Sequence, residues 1–130
     1  MSKRKSIHVE GFSHGSTPIP AASRVGNIVM TGGINGTDKA TGKILEDLAE
    51  QAKHVFANAK RIIEAAGAST DDIVKMTFWI KQPAAREAIN KEWVAMFPDA
   101  DARPARHTLQ NDHMAAAVQI QCDAFAVIQG

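Results

Sequence analysis

Apolar residues Leu48, Ala52, Val55, Ala59, Ile62, Ile63 and Ala66 recur mostly at spacings of three and four. That period lays one apolar stripe along a helix and predicts an α-helix over 45–66. Glu46 and Asp47 suit its first turn, and Gly67 suits its C-cap. A second helix is predicted from Pro83 to just before Pro98, with Ala85, Ile89, Trp93 and Met96 on one face. The run 73–80 is rich in β-branched and aromatic residues and reads as a strand. Segments 107–111 and 118–128 read as two strands joined by a bend. In the last of these, Val118, Ile120, Cys122 and Ala124 share one face, while Gln119, Gln121 and Asp123 share the other.

Upstream, 6–10 could form a short strand, and 11–20 reads as a loop punctuated by Gly11, Gly15, Pro18 and Pro20. Gly26-Asn27 is a hairpin signal between a short arm at 23–25 and an apolar strand at 28–31. Gly32, Gly33 and Gly36 then open a loop that runs to Gly42; paired glycines after a strand suggest close backbone approach. The order β-β-α-β-α-β-β predicts an α+β layer architecture, two helices covering one face of a mixed sheet. A polar sheet face left bare by the helices must be solvated or packed against another subunit.

Composition changes little in that picture but narrows the function. The 130 residues make a single domain, 1–130, with no repeat and no interdomain linker. A net charge of +1 gives no basic footprint for nucleic acid, and Lys3-Arg4-Lys5 is too short for a polyanion-binding arm. One cysteine, Cys122, excludes an internal disulfide and fits a reducing compartment; its apolar neighbours suggest a buried, inert thiol. No run is long and apolar enough for a membrane span, and none follows the basic start as in a secretory signal. The expectation is a soluble, cytoplasmic protein. His8, His14, His54, His107 and His113 show no ligand spacing, so no metal and no cofactor are expected. His14, in a Gly/Ser loop, reads as an exposed histidine by default.

The candidate chemistry lies in Arg103-Pro104-Ala105-Arg106-His107-Thr108. An arginine entering a strand holds a planar fork on a rigid element, and that fork matches a carboxylate with two parallel donors. Arg106 is therefore a catalytic clamp, a ligand anchor or a structural ion pair. His107 falls on the opposite strand face, which argues against a shared site.

Several motifs in order resemble the RidA/YjgF family of small deaminases. They are Gly26-Asn27, Thr31-Gly32-Gly33, Glu64-Ala65-Ala66-Gly67 followed by Asp72-Ile73-Val74-Lys75, Asn90, Pro104-Ala105-Arg106, and Asp123-Ala124-Phe125-Ala126-Val127. The resemblance spans roughly residues 18 to 128. It implies a chorismate-mutase-like (YjgF-type) fold and a homotrimer whose sheets form a central barrel, with sites in the clefts between subunits. It also implies hydrolysis of reactive enamines and imines, such as 2-aminoacrylate, to a keto acid and ammonia. That chemistry requires only a held carboxylate and a positioned water.

Carried over by residue, the resemblance makes Arg106 the carboxylate-binding arginine and Thr108 a backbone donor to the same carboxylate. Gly33 becomes the glycine whose carbonyl lies near the substrate nitrogen, and Asn90 the helix asparagine near the cleft. Two positions depart from the pattern. Ile19 stands where the family carries a loop tyrosine, and Asp123 aligns with a water-activating glutamate. Shifting that alignment by two residues would instead place Gln121 there, which cannot take up a proton. Three functions stay open: a general imine deaminase, a deaminase for another unsaturated amino acid such as an aminomuconate, and a non-catalytic trimeric binder of small carboxylates. A ribonuclease is disfavoured by the near-zero net charge.

Overall fold

The structure is a computed structural model that describes residues 3–129. In chain order its elements are β1 (Lys5–Ile7), β2 (Ala22–Val25), β3 (Ile28–Thr31), β4 (Ile34–Asn35), α1 (Leu48–Ala65), β5 (Ile73–Ile80), α2 (Ala85–Met96), β6 (Ala105–Gln110) and β7 (Ile120–Val127). The strands form one mixed sheet in the order β1-β2-β3-β7-β5-β6, with β4 continuing along the β3 side of β7. Only β5 and β6 run parallel, as a strand–helix–strand crossover through α2 requires. Both helices cover the same face, so the α+β layering expected from the sequence holds.

Local chemistry sets the boundaries. Helix α1 begins three residues later than its apolar period suggested, because the Asp47 carboxylate accepts from the Glu50 N–H at 3.0 Å and caps the helix. It ends in a Schellman motif: Ala68 N–H reaches the Ile63 carbonyl at 3.1 Å and Gly67 N–H the Glu64 carbonyl at 3.0 Å, with Gly67 at φ +90°. Helix α2 ends at Phe97, whose carbonyl accepts from Arg103 Nε at 2.8 Å. The expected loop over 32–42 contains a short strand, β4, with Ile34 opposite Cys122. Strand β6 starts at Ala105 rather than His107, which brings Arg106 into the sheet.

The core lies between the helices and one sheet face. Val29, Met76, Phe78, Ile80, Ile120, Cys122 and Ala126 face Ala52, Val55, Phe56, Ile62, Ile63, Ile89 and Trp93, all buried. Burying each large side chain stabilises by about 1.5–3 kcal/mol. Two buried amides tie this layer to the loops. Gln51 donates to the Leu45 and Ala117 carbonyls and accepts from the Gln119 and Ile120 N–H groups, at 2.7–3.2 Å. Asn58 donates to the Asn35 and Thr37 carbonyls at 2.9 Å and accepts from Arg61. Cys122 is fully buried, and burial pushes its thiol pKa up, so it is no nucleophile.

The bare sheet face corrects one expectation. It is mixed rather than polar, because Ile28 and Met30 of β3 and Leu109 of β6 expose 44, 51 and 48% of their surface on the side away from the helices. Periodicity in β7 alone could not reveal residues contributed by distant strands.

Candidate functional site

Arg106 points to the helix side of the sheet, since its register partner on β5 is the buried Met76. Its guanidinium lies 5.0 Å from the centre of the Trp93 ring and 5.7 Å from that of Phe78. Nε donates to the Thr108 hydroxyl at 3.0 Å and Nη2 to the Asn90 carbonyl oxygen at 2.7 Å. A guanidinium has five N–H donors, so these two bonds leave three unused. Burial, then the neighbouring Arg86 cation, hold the Arg106 pKa below its ordinary value, although the group stays charged. Among the described residues the ion pairs are Lys53–Glu50 and Lys60–Glu64, so Arg106 has no acidic partner. The structural ion-pair reading of Arg106 therefore finds no support among the described residues.

Arg106, Thr108 and Asn90 thus meet. Thr108 meets Arg106 through its hydroxyl, where the resemblance implied only its backbone. Its carbonyl accepts from Arg86 Nη2 at 3.2 Å on the open edge of β6, and its N–H points to that same edge. Trp93, placed by the sequence on the apolar face of the second helix, also forms the floor beneath the guanidinium. That contact joins a helix to a distant strand and leaves no local signal. Arg86 was likewise not singled out, because an exposed helix arginine looks ordinary until its partner is known.

The other candidates lie elsewhere. Asp123 is opposite Thr77 on β5, and the neighbouring pair, Met76 with Ala124, faces the helices. Asp123 therefore sits on the bare face, opposite to Arg106, and the two do not share a site within one chain. It borders a depression of about 200 Å³ with Met30, Lys75, Thr77 and Phe125. Burial raises the Asp123 pKa above the ordinary carboxylate value, against opposing pulls from a Thr77 backbone hydrogen bond and the Lys75 ammonium.

Gly33 interrupts the β3–β4 edge. An added Cβ there would meet the Gln121 amide nitrogen at 2.7 Å, so Gln121, the alternative to Asp123, packs directly on this glycine. Ile19 is 49% exposed and lines a separate depression of about 370 Å³ with Thr17, Pro18 and His14. His14 is not the exposed loop residue expected: it is partly buried, and its Nε2 lies 2.9 Å from the Gly33 carbonyl oxygen. The groove between α1 and α2, lined by Lys53, Phe56, Lys60 and Met96, holds about 380 Å³ and does not include Arg106. Among the described residues, no helix is long and apolar enough to cross a membrane, and no three His, Cys, Asp or Glu cluster as metal ligands.

Comparison with known proteins adds to this geometry. A family model described as Endoribonuclease L-PSP matches residues 16–128. The chain is 32% identical over 124 residues to a 2-iminobutanoate/2-iminopropanoate deaminase of Salmonella typhimurium, covering 95% of this chain and 97% of the relative. It superposes on the crystal structure of the Escherichia coli YjgF gene product with a TM-score of 0.86 and 31% identity, covering 96% and 99% of the two chains. Escherichia coli TdcF with bound serine gives a TM-score of 0.87 at 29% identity, over 96% and 99%.

Proposed function

Because this chain belongs to the Endoribonuclease L-PSP family, the YjgF/RidA family of its curated deaminase relatives, we propose that it hydrolyses reactive enamines and imines of the 2-aminoacrylate kind to a keto acid and ammonia. One observation carries the reading. Arg106 is half-buried over an aromatic ring, oriented by two neutral acceptors, and has no carboxylate partner among the described residues. Such a cation is a waiting site for a substrate carboxylate. The unused donors form the fork, and the Thr108 N–H on the open β6 edge is a further donor for the same carboxylate. Asn90 holds the guanidinium so that little order is lost on binding.

The reaction then needs a water at the imine carbon. Water adds to C=N, the nitrogen takes up a proton, and the resulting carbinolamine expels ammonia as C=O forms. Asp123 is a carboxylate on the bare face that can accept the water proton, and its raised pKa suits a group that exchanges protons. Gln121, against Gly33, offers a neutral contact to the same water or to the substrate nitrogen.

Arg106 and Asp123 face opposite sides of one sheet, so one small substrate reaches both only between two copies. A homotrimer in which the β6 edge of one copy meets the bare face of the next would complete the site and cover Ile28, Met30 and Leu109. The single buried cysteine fits a cytoplasmic setting for such an assembly. Ile19, apolar and exposed, favours a second reading in which the cleft takes a longer unsaturated amino acid such as an aminomuconate. A binder without catalysis would keep the Arg106 grip but leave hydrolysis at the uncatalysed rate.

The test generates 2-aminoacrylate in situ with a dehydratase and follows the appearance of keto acid. The proposal expects a protein-dependent rate and a trimer by mass measurement in solution. A rate equal to the protein-free control would refute the general deaminase, and a stable monomer would refute the shared cleft.

A further inference from the structure

The β3–β4 edge is broken where it passes Ala124. There the Ala124 N–H donates to the Thr31 hydroxyl at 2.9 Å instead of to a backbone carbonyl. The same hydroxyl donates to the Gly32 carbonyl at 2.8 Å. Just beyond this break, the Gly33 carbonyl takes a side-chain partner, His14 Nε2 at 2.9 Å. A carbonyl only accepts, so Nε2 carries a hydrogen, and in the neutral ring Nδ1 is then a bare acceptor. That Nδ1 is buried and has no partner among the described residues.

A buried acceptor without a donor is costly, and a loop imidazole could ordinarily turn it to water. Here the ring is held. The Phe12 ring meets it edge-on at 5.4 Å and 87°, and Phe12 is itself buried and tied back to Val9 by a 3.2 Å backbone bond. Gly32 leaves room on the other side, with the position of an absent Cβ 3.7 Å from His14 Cε1. The loop thus accepts an unfavourable Nδ1 in order to keep Nε2 on Gly33.

We propose that His14 is a positioning residue of the cleft: its Nε2–H fixes the Gly33 carbonyl and thereby sets where the nitrogen of the substrate is received. This deepens the proposed function and rests on it in taking Gly33 as the acceptor for that nitrogen. A carbonyl oxygen has two lone pairs; His14 occupies one and leaves the other for one N–H donor. Ile19 lies in the same loop and borders the same depression as His14, so the loop delivers an apolar side chain and a hydrogen-bond donor together.

The probes are serine and 3-hydroxypropanoate, which differ only by the α-amino group, bound to the full-length protein by calorimetry. The wild type should prefer serine. His14→Phe, which keeps an aromatic ring for Phe12 but donates nothing, should reduce that preference about five- to tenfold, the worth of one ordinary hydrogen bond. His14→Gln places an amide nitrogen at the reach of Nε2 and should restore it, whereas His14→Asn is too short and should not. This contrast between Gln and Asn stands even if the Phe variant fails to fold. An unchanged preference in His14→Phe, a Gln variant no better than the Asn variant, or a wild type indifferent to the amino group would each overturn the proposal. Turnover separates the two ideas. A serine preference that depends on His14 without hydrolysis removes the deaminase and keeps His14; hydrolysis without that dependence does the reverse.

Discussion

Replacing Arg106 separates a ligand grip from a structural role, because the two contribute to different quantities. Among the described residues Arg106 makes two hydrogen bonds to neutral acceptors and one close cation–aromatic contact with Trp93. A contact of that kind is worth about 0.5–2 kcal/mol. Burial and the nearby Arg86 charge work against it. Arg106→Ala should therefore change stability by only about 1–2 kcal/mol, a melting shift of roughly 3–8 °C for a chain of this size. A substrate carboxylate gains more from the same side chain. Each charge-assisted hydrogen bond contributes about 1.5–3 kcal/mol, so losing one costs about ten- to a hundredfold in affinity. Arg106→Lys keeps the charge but lacks the fork, and should raise KM by that factor; Arg106→Ala should cost more. The assays are thermal melting and keto acid formation over a range of imine concentrations. A melting shift several times larger, with KM unchanged in the lysine variant, would refute the reasoning. It would make Arg106 a structural residue, for which removing a partner typically costs about 3–5 kcal/mol.

Other substitutions have equally definite outcomes. Gly36→Ala would drive a Cβ to 2.7 Å from the Gln51 carbonyl oxygen, a backbone atom that cannot yield, and should lower stability in urea titration by about 1–3 kcal/mol. Gly33→Ala meets only the mobile end of Gln121, so it should cost less stability while lowering turnover. Gln51→Leu strands the Gln119 and Ile120 N–H groups and should destabilise by about 2–5 kcal/mol in the same titration. The Asp123 pKa is raised in the fold, so the native state binds that proton more tightly than the unfolded chain. Its stabilising contribution is complete in acid, below the ordinary carboxylate value, and is lost as pH rises through the raised one. Asp123→Asn should therefore gain stability relative to wild type as pH rises above the ordinary carboxylate value, measured by melting, with the gap closing in acid.

How far the sequence reached depended on whether a signal was local. The stripe from Ala52 to Ile63 and the run Ile73–Ile80 identified α1 and β5 because each element buries a face of its own. Strand β4 was missed because two residues between glycines carry no period. Arg106 was singled out as a candidate by its motif, but its Trp93 floor and the His14–Gly33 bond join segments far apart in the chain. Strand alternation did separate His107 from Arg106. Applied across β5 and β7, the same rule puts Asp123 on the far face from Arg106, a consequence that needs the register and not the sequence alone.

The most direct measurement of the central claim is a crystal structure of the protein with a 2-keto acid product such as 2-ketobutanoate. The account predicts the carboxylate about 2.7–2.9 Å from Nη1 and Nη2 of Arg106, on their unused hydrogens, in a cleft closed by the bare sheet face of a neighbouring copy. A carboxylate bound away from Arg106, or a site complete within one chain, would contradict it.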